Sequence, residues 1–389
     1  PFLIAMKFYL DGALPAALSR GSLRSAEFLS KALAGLALAA GASAAAAQCN
    51  QDFQPLLGPV PSISGEVAAL EVFPVNGVPR LVIGGGFQDL GPESADLLAY
   101  WDGNRWRALG TSPALPAGAS ITDLEVGDLG QGLRLWISLR RDTGSAPLPL
   151  LFEFDGSQFL PLGPVAGSTP GFLVPGIHSL ELATVAGTKR LFAGGAFDLP
   201  GSSVLGLGGW DGSAWASWNL PLLLVLSGPG ALLEVGPGPG APEGLYVGLG
   251  FGGVVRFDGS AFAVPDGSLQ GSVQDLELFV DPSGHKRVYA AGQLNSPAGA
   301  LLPYAGIASY AGSVWEPVAG PMSLAPGFPP RVQSISVENG PGGPIVTAGG
   351  QFNAWAGVLC RGLARFDGQS VEDLGDGLNP QVFLPSDML

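Results

Sequence analysis

Five glutamates stand where they could do chemistry together. Glu71, Glu125, Glu181, Glu234 and Glu277 each close a short apolar segment, and Ser336 takes the equivalent place in a sixth. Carboxylates repeated at one position could ring a channel and hold a hard cation such as calcium through oxygen ligands. The arginines argue for something plainer. Arg80, Arg134, Arg190 and Arg287 follow four of these glutamates at an offset of nine or ten residues. That offset puts each pair nearly opposite across a hairpin, where unlike charges stabilise a sheet by roughly 0.2–1 kcal/mol. The sixth segment lacks both members, as a pair predicts and a cation ring does not. The expectation is therefore four structural pairs: Glu71–Arg80, Glu125–Arg134, Glu181–Arg190 and Glu277–Arg287. Glu234 has Gly244 where an arginine would stand, and it is left as the one weak metal candidate.

Other chemistries find little support. Two histidines, His178 and His285, lie in different repeats, and there are two cysteines, so no zinc or copper donor set can be assembled. No Gly-x-Ser-x-Gly precedes a helical pattern, and the double glycines lack the Lys-Ser/Thr that completes a phosphate loop. No catalytic residue is assigned, and no cofactor is expected. Aspartates that recur in Asp-Gly pairs read as turn residues rather than acids. The aromatic residues beside them read as packing, with a lectin-like platform as the alternative.

The elements that carry these residues are repeats. Among 389 residues there are 61 Gly and 35 Pro, yet 47% are hydrophobic and mean hydropathy is +0.34. A disordered chain lacks such apolar content, whereas many short strands between Gly/Pro turns need it. One phrase recurs: an apolar strand ending Leu-Glu, then Arg-Leu and apolar residues to Gly-Gly-x-Phe, then aromatic-Asp-Gly-x-x-aromatic closing on Leu-Gly. The hairpin aspartates Asp102, Asp155, Asp211, Asp258 and Asp367, with Ala311 standing in between the last two, recur every 47–56 residues. A period near fifty with four strands per repeat is the mark of propeller blades. The fold class is all-β, a β-propeller with six visible four-stranded blades, near 65–110, 119–163, 176–218, 228–265, 271–320 and 330–378. Gly103-Asn104, Gly156-Ser157, Gly212-Ser213, Gly259-Ser260 and Gly312-Ser313 read as two-residue turns whose glycine supplies positive φ.

On these motifs the chain resembles Kelch-type propellers, and more closely secreted bacterial repeat proteins written Gly-Gly-x-Phe … Trp-Asp-Gly-x-x-Trp-x-x-Leu-Gly. The resemblance spans 49–378. It implies the fold and leaves the chemistry open, since propellers host enzymes and inert scaffolds alike.

Arg20, Arg24 and Lys31 precede the apolar run 32–40 and the small-residue tract 42–47. Basic, then apolar, then small residues predict a signal peptide in region 1–47 and an exported propeller over 48–389, secreted, periplasmic or extracellular. The apolar run is too short to span a bilayer. A net charge of −14 argues against nucleic acid and anionic lipid as partners.

Apolar long loops are expected to form one binding face, or else to cap the core. Phe172, Phe328 and Trp355 are the aromatic anchors of that face, and Arg140-Arg141 is a dibasic pair that could meet an anionic group. The leading expectation is a non-catalytic, monomeric binding or scaffold propeller that recognises a protein or polysaccharide. The alternative is an envelope-acting hydrolase or lyase with a site assembled from scattered channel residues. Cys49 and Cys360 are expected to lie on opposite faces and to remain unbridged. Residues 53–58 match a fourth strand with no preceding three, while 371–375 supplies a fourth strand to the sixth repeat. Together these predict a seventh blade in the full-length protein.

Overall fold

The structure, a computed structural model, describes residues 63–87, 89–90, 93–94, 97–109, 115, 118–142, 149–163, 175–199, 202–220, 229–265, 269–295, 306–324, 329–360 and 362–374. All regular structure among them is β. The chain divides into two compact units, within Pro55–Glu234 and Val235–Leu389.

The first unit holds three blades. Blade one runs Val67–Val75, Val78–Gly85, Leu98–Trp101 and Trp106–Ala108, each strand bonded to the next. Blade two runs Ala119–Gly127, Arg134–Arg141, Leu151–Phe154 and Phe159–Pro161. Blade three runs Gly176–Val185, Thr188–Leu199, Ser202–Trp210 and Trp215–Asn219. A single pairing, Gly176 with Arg140, joins blades two and three into one sheet. Blade four, Pro229–Val235, Gly244–Leu249, Gly253–Phe257 and Phe262–Ala263, begins where the chain passes into the second unit. Blade five is Gln270–Val280, Lys286–Asn295, Ile307–Tyr310 and Trp315–Pro317. Blade six is Arg331–Gly340, Gly343–Gln351, Leu363–Phe366 and Val371–Asp373. Six consecutive four-stranded antiparallel meanders are propeller blades, and the chain is an all-β propeller. Blade six owns its outer strand as expected, while residues 53–58 lie outside the described residues.

Blades one, two, three, five and six share one device. The inner strand is interrupted by a bulge that leaves one residue unpaired: Ala68, Thr122, His178, Gln274 or Gln333. A bulge bends the strand and sharpens its twist. Opposite it lies the second glycine of the repeat, since a Cβ on Gly85, Gly195, Gly292 or Gly350 would stand 1.9–2.3 Å from an inner-strand carbonyl oxygen. In these four blades the second glycine thus makes room for the bulge, whereas blade two carries Leu139 at that place.

At the other end of five blades an aspartate shapes the hairpin, and blade five carries Ala311 there. Asp155 Oδ1 accepts the backbone N–H of Ser157 at 2.8 Å and of Gln158 at 2.9 Å. Asp102, Asp211, Asp258 and Asp367 repeat the arrangement. The following glycines have φ between +93° and +103°, a region that glycine enters without steric cost. Aromatic residues on either side pair across the hairpin, as Trp101–Trp106 at 5.4 Å, Phe154–Phe159 at 4.5 Å and Tyr310–Trp315 at 5.2 Å.

These turns carry a pH dependence. The N–H groups of Gln158 and Ser157, with the Ser157 hydroxyl, hold the Asp155 carboxyl down to about 2. Asp258 is likewise held at about 2, first by the Ala261 N–H and then by Ser260. In Asp102 burial pulls the other way, but Arg107 and two turn N–H groups outweigh it, and the carboxyl again sits at about 2. A depressed folded-state value means that the stabilisation is complete above the unfolded value and is lost as pH falls through the folded one. Thermal melts from pH 5 to pH 2 are expected to fall most steeply between about pH 4 and pH 2. Asp258→Asn, which keeps the acceptor oxygen without the titration, should flatten part of that slope. A slope unchanged in this variant and in Asp155→Asn would locate the acid sensitivity elsewhere.

Candidate functional site

The strand register sets the four expected Glu–Arg pairs on diagonals of the inner hairpin, not directly opposite. Glu71 faces Val82 and Arg80 faces Phe73; Glu125 faces Trp136 and Arg134 faces Gly127. Glu181 faces Phe192 with Arg190 on Ala183, and Glu277 faces Tyr289 with Arg287 on Phe279. Every pair therefore stands on a diagonal, two residues out of register. The guanidinium groups also reach the outer half of the blade. Arg80 donates to the Asp102 carbonyl, and Arg134 Nε donates to Glu153 Oε1 at 3.0 Å. Arg190 lies over the Trp218 ring at 5.7 Å, and Arg287 reaches Ser309 Oγ at 3.2 Å and Glu316 Oε2 at 3.4 Å.

Glu125 and Glu181 reach the neighbouring blade. Glu125 Oε1 accepts the Leu182 N–H at 3.1 Å, and two residues earlier Asp123 Oδ2 accepts the Leu180 N–H at 2.8 Å. Glu181 Oε1 accepts the Glu234 N–H at 2.9 Å, and Ser179 Oγ accepts the Leu232 N–H at 3.1 Å. Asp275 Oδ2 does the same for the Ile335 N–H at 2.8 Å. Residues i and i+2 of a strand point to one face, so two acceptors from one inner strand meet alternate N–H groups of the next. Side chains here do what a neighbouring strand does in a sheet.

Glu234 is part of this system rather than a metal candidate. Its Oε1 accepts the Thr184 N–H at 3.0 Å while its own N–H serves Glu181, so strands Gly176–Val185 and Pro229–Val235 are clamped in both directions. Among the described residues no three His, Cys, Asp or Glu side chains stand together in a metal-binding group.

The two histidines are explained locally. His178 is the unpaired residue of the blade-three bulge, and burial followed by the nearby Arg140 charge lowers its pKa. His285 Nδ1 lies 2.9 Å from Ser283 Oγ in the turn that Asp281 shapes.

Among the expected binding residues, Phe172 and Phe328 lie outside the described residues. Trp355 is corrected: it is fully buried, 6.0 Å from Phe366, on a two-residue strand paired with Met322–Ser323. Its indole packs into the core of the second unit and is no surface anchor, while Val358 and Leu359 of the same loop are 37% and 79% exposed. Arg140 and Arg141 do not form one basic patch, because adjacent strand residues point to opposite faces. Arg140 is engaged by Asp142 at 3.1 Å, Glu66 at 3.7 Å and the Ser120 hydroxyl at 3.1 Å. Cys360 is a buried free thiol, pushed up to about 11 by burial and then by Asp373. Cys49 lies outside the described residues.

A cleft that the motifs did not announce opens at the hairpin end of blades two and three. It has a volume of about 200 Å³. Its floor is Trp136, Arg134 and Glu153, with both Arg134 Nε and the Trp136 indole N–H donating to the Glu153 carboxylate, at 3.0 and 3.1 Å. Leu129, Leu160, Leu162 and Trp210 are its apolar lining, and Gln131, Gly132 and Gly212 complete it.

The surrounding chain is braced. Asp128 Oδ1 accepts the N–H groups of Gly130 and Gly132 and so shapes the Leu129–Gly132 turn, while Lys189 Nζ donates to the Asp128 carbonyl at 2.8 Å. Gln131 Nε2 donates to the Gly212 carbonyl at 3.0 Å, and Trp215 Nε1 to the Leu162 carbonyl at 2.9 Å. The cleft is pre-formed between two blades, which lowers the ordering cost of filling it. It is smaller than the roughly 300–1,000 Å³ that encloses a drug-sized ligand, so it suits one ring or one side chain rather than a nucleotide-sized cofactor.

The fold defines the class as a β-propeller, and the cleft makes this one a propeller with an amphipathic inter-blade recess. No family model matches the chain, and no curated protein matches it. Among solved structures it is similar to the N-terminal domain of Nup159, at 9% identity over 70% of each chain with a TM-score of 0.34. That likeness is too slight to carry an argument about function.

Proposed function

We propose that this chain is an exported, non-catalytic binding propeller that holds a protein or polysaccharide at the surface of its blades. The observation that carries the reading is the way polar chemistry is spent. Inner carboxylates and turn aspartates are committed to backbone N–H groups, and the aspartates with strongly lowered pKa values sit one per hairpin, Asp102, Asp155 and Asp258. An active site gathers perturbed groups in one place; these are dispersed by the repeat. The recess between blades two and three has instead the apolar lining and few polar groups of a recognition site.

Export fits the basic, apolar and small-residue order of residues 20–47. The acidic chain, at −14 over its full length, directs the binding surface toward neutral or cationic partners. The test is a glycan array and an envelope-extract pull-down with the protein spanning 48–389, run beside hydrolase and lyase assays on the same glycans. Retention without turnover is the expected result. Turnover of any retained glycan would replace the binding reading with the enzymatic one.

A further inference from the structure

We infer that the recess between blades two and three takes a single pyranose ring of a neutral oligosaccharide. This deepens the binding reading above and rests on it. The lining of the recess combines carbon with hydrogen-bonding groups. Leu160, Leu162 and the half-buried ring of Trp210 supply the carbon. A pyranose presents the matching pair, a C–H face and a rim of hydroxyls, and an indole with its apolar body is suited to the first.

The hydroxyls would meet groups with capacity to spare. A guanidinium has five N–H donors, and Arg134 gives Nε to Glu153 and Nη1 to the Leu133 carbonyl. Each Glu153 oxygen takes one donor from the protein, Arg134 on Oε1 and Trp136 on Oε2, and a carboxylate oxygen has a second lone pair to offer. Arg134 and Glu153 are also each other's counter-ion, with side chains only 20% and 13% exposed. The floor is therefore polar without net charge, within a chain of net charge −14. An anionic sugar would find no uncompensated cation there and would be repelled by the body as a whole. A neutral sugar loses nothing on either account. The volume of about 200 Å³ leaves space for one ring, so a longer chain would pass over the rim with one residue seated.

The experiment titrates the full protein with cellohexaose, laminarihexaose, mannohexaose and hexagalacturonate, read by tryptophan fluorescence and calorimetry. One or more of the neutral hexaoses should bind, with hexagalacturonate silent. Trp210→Ala should weaken that binding roughly tenfold or more, as loss of an aromatic anchor does. Leu160→Asp should do the same without disturbing the fold, because Leu160 is 43% exposed. If Trp210→Ala melts early, Leu160→Asp decides the matter alone. Glu153→Gln leaves Arg134 uncompensated and should let hexagalacturonate bind. Unchanged affinity in Leu160→Asp would remove the recess as the site. Failure of all three neutral hexaoses, with a partner still retained in the pull-down, would overturn the sugar class and leave the binding reading standing.

Discussion

Glu181→Ala is expected to be among the most damaging single substitutions in this protein, although it touches no ligand. Glu181 is 4% exposed and its carboxylate accepts the N–H of Glu234 in the next inner strand at 2.9 Å. Hydrogen bonds to charged groups contribute roughly 1.5–3 kcal/mol, and a buried donor left without its acceptor costs roughly 1–3 kcal/mol. A loss of about 3 kcal/mol follows, read as a lower urea midpoint at unchanged slope. Glu181→Gln keeps an acceptor oxygen of the same reach and should recover most of the loss. The return bond, Thr184 N–H to Glu234 at 3.0 Å, makes the two glutamates one device, so Glu181→Ala and Glu234→Ala should be non-additive in a double-mutant cycle. Equal midpoints for Glu181→Ala and Glu181→Gln would show that the acceptor is not what holds the strands. Strict additivity would show two separate bonds.

This latch explains what the sequence made legible and what it hid. Positions of the repeat were readable because they obey local rules: glycine where φ is positive, aspartate where a turn needs an acceptor, paired aromatics across a two-residue hairpin. The blade count and strand order follow from their recurrence. The glutamates recur just as regularly, but their partners are not local. Glu125 and Arg134 are nine residues apart and suggest each other, whereas Glu125 and Leu182 lie 57 apart and only blade packing introduces them. A signal was nevertheless present. Asp123, Ser179 and Asp275 stand two residues before a glutamate on the same strand face, and two acceptors in a row fit two N–H groups of an edge better than they fit one arginine.

The recess was hidden for the same reason. Trp136, Glu153 and Trp210 come from three strands of two blades, and no spacing rule links them. Trp355 misled in the opposite direction. A tryptophan in a long loop reads as surface, but the Trp355 indole is buried beside Phe366 on a strand paired with Met322. An apolar loop has two outcomes, and only packing chooses between them.

Gly195→Ala is the second substitution expected to be costly, and the reason lies in the bulge. Gly195 pairs with Ile177 at the point where His178 is squeezed out of register. A Cβ there would stand 2.1 Å from the Gly176 carbonyl oxygen and 3.0 Å from the Ile177 Cα. Both obstacles are backbone, which cannot rotate away as a side chain can, and overpacking of this kind costs typically 1–3 kcal/mol. The Gly176 strand end also carries the pairing with Arg140 that joins blades two and three, so a shift here propagates into the neighbouring blade. A drop of about 3 kcal/mol is expected. Gly86→Ala is the matched control, because the nearest atom to its added Cβ is the Ser120 Cβ at an ordinary 3.6 Å. It should leave the urea midpoint almost unchanged. Blade two carries Leu139 opposite its own bulge at Ile121, which shows that a strand can be built around a side chain at this point when its neighbours suit it. The cost of Gly195→Ala is therefore one of local misfit rather than a prohibition, and hydrogen exchange should show it as lost protection at Ile177–Leu180 and Ala193–Ala196, with blade one undisturbed. Protection lost evenly over all three blades, or a midpoint equal to that of Gly86→Ala, would mean that the second glycine is not there to accommodate the bulge.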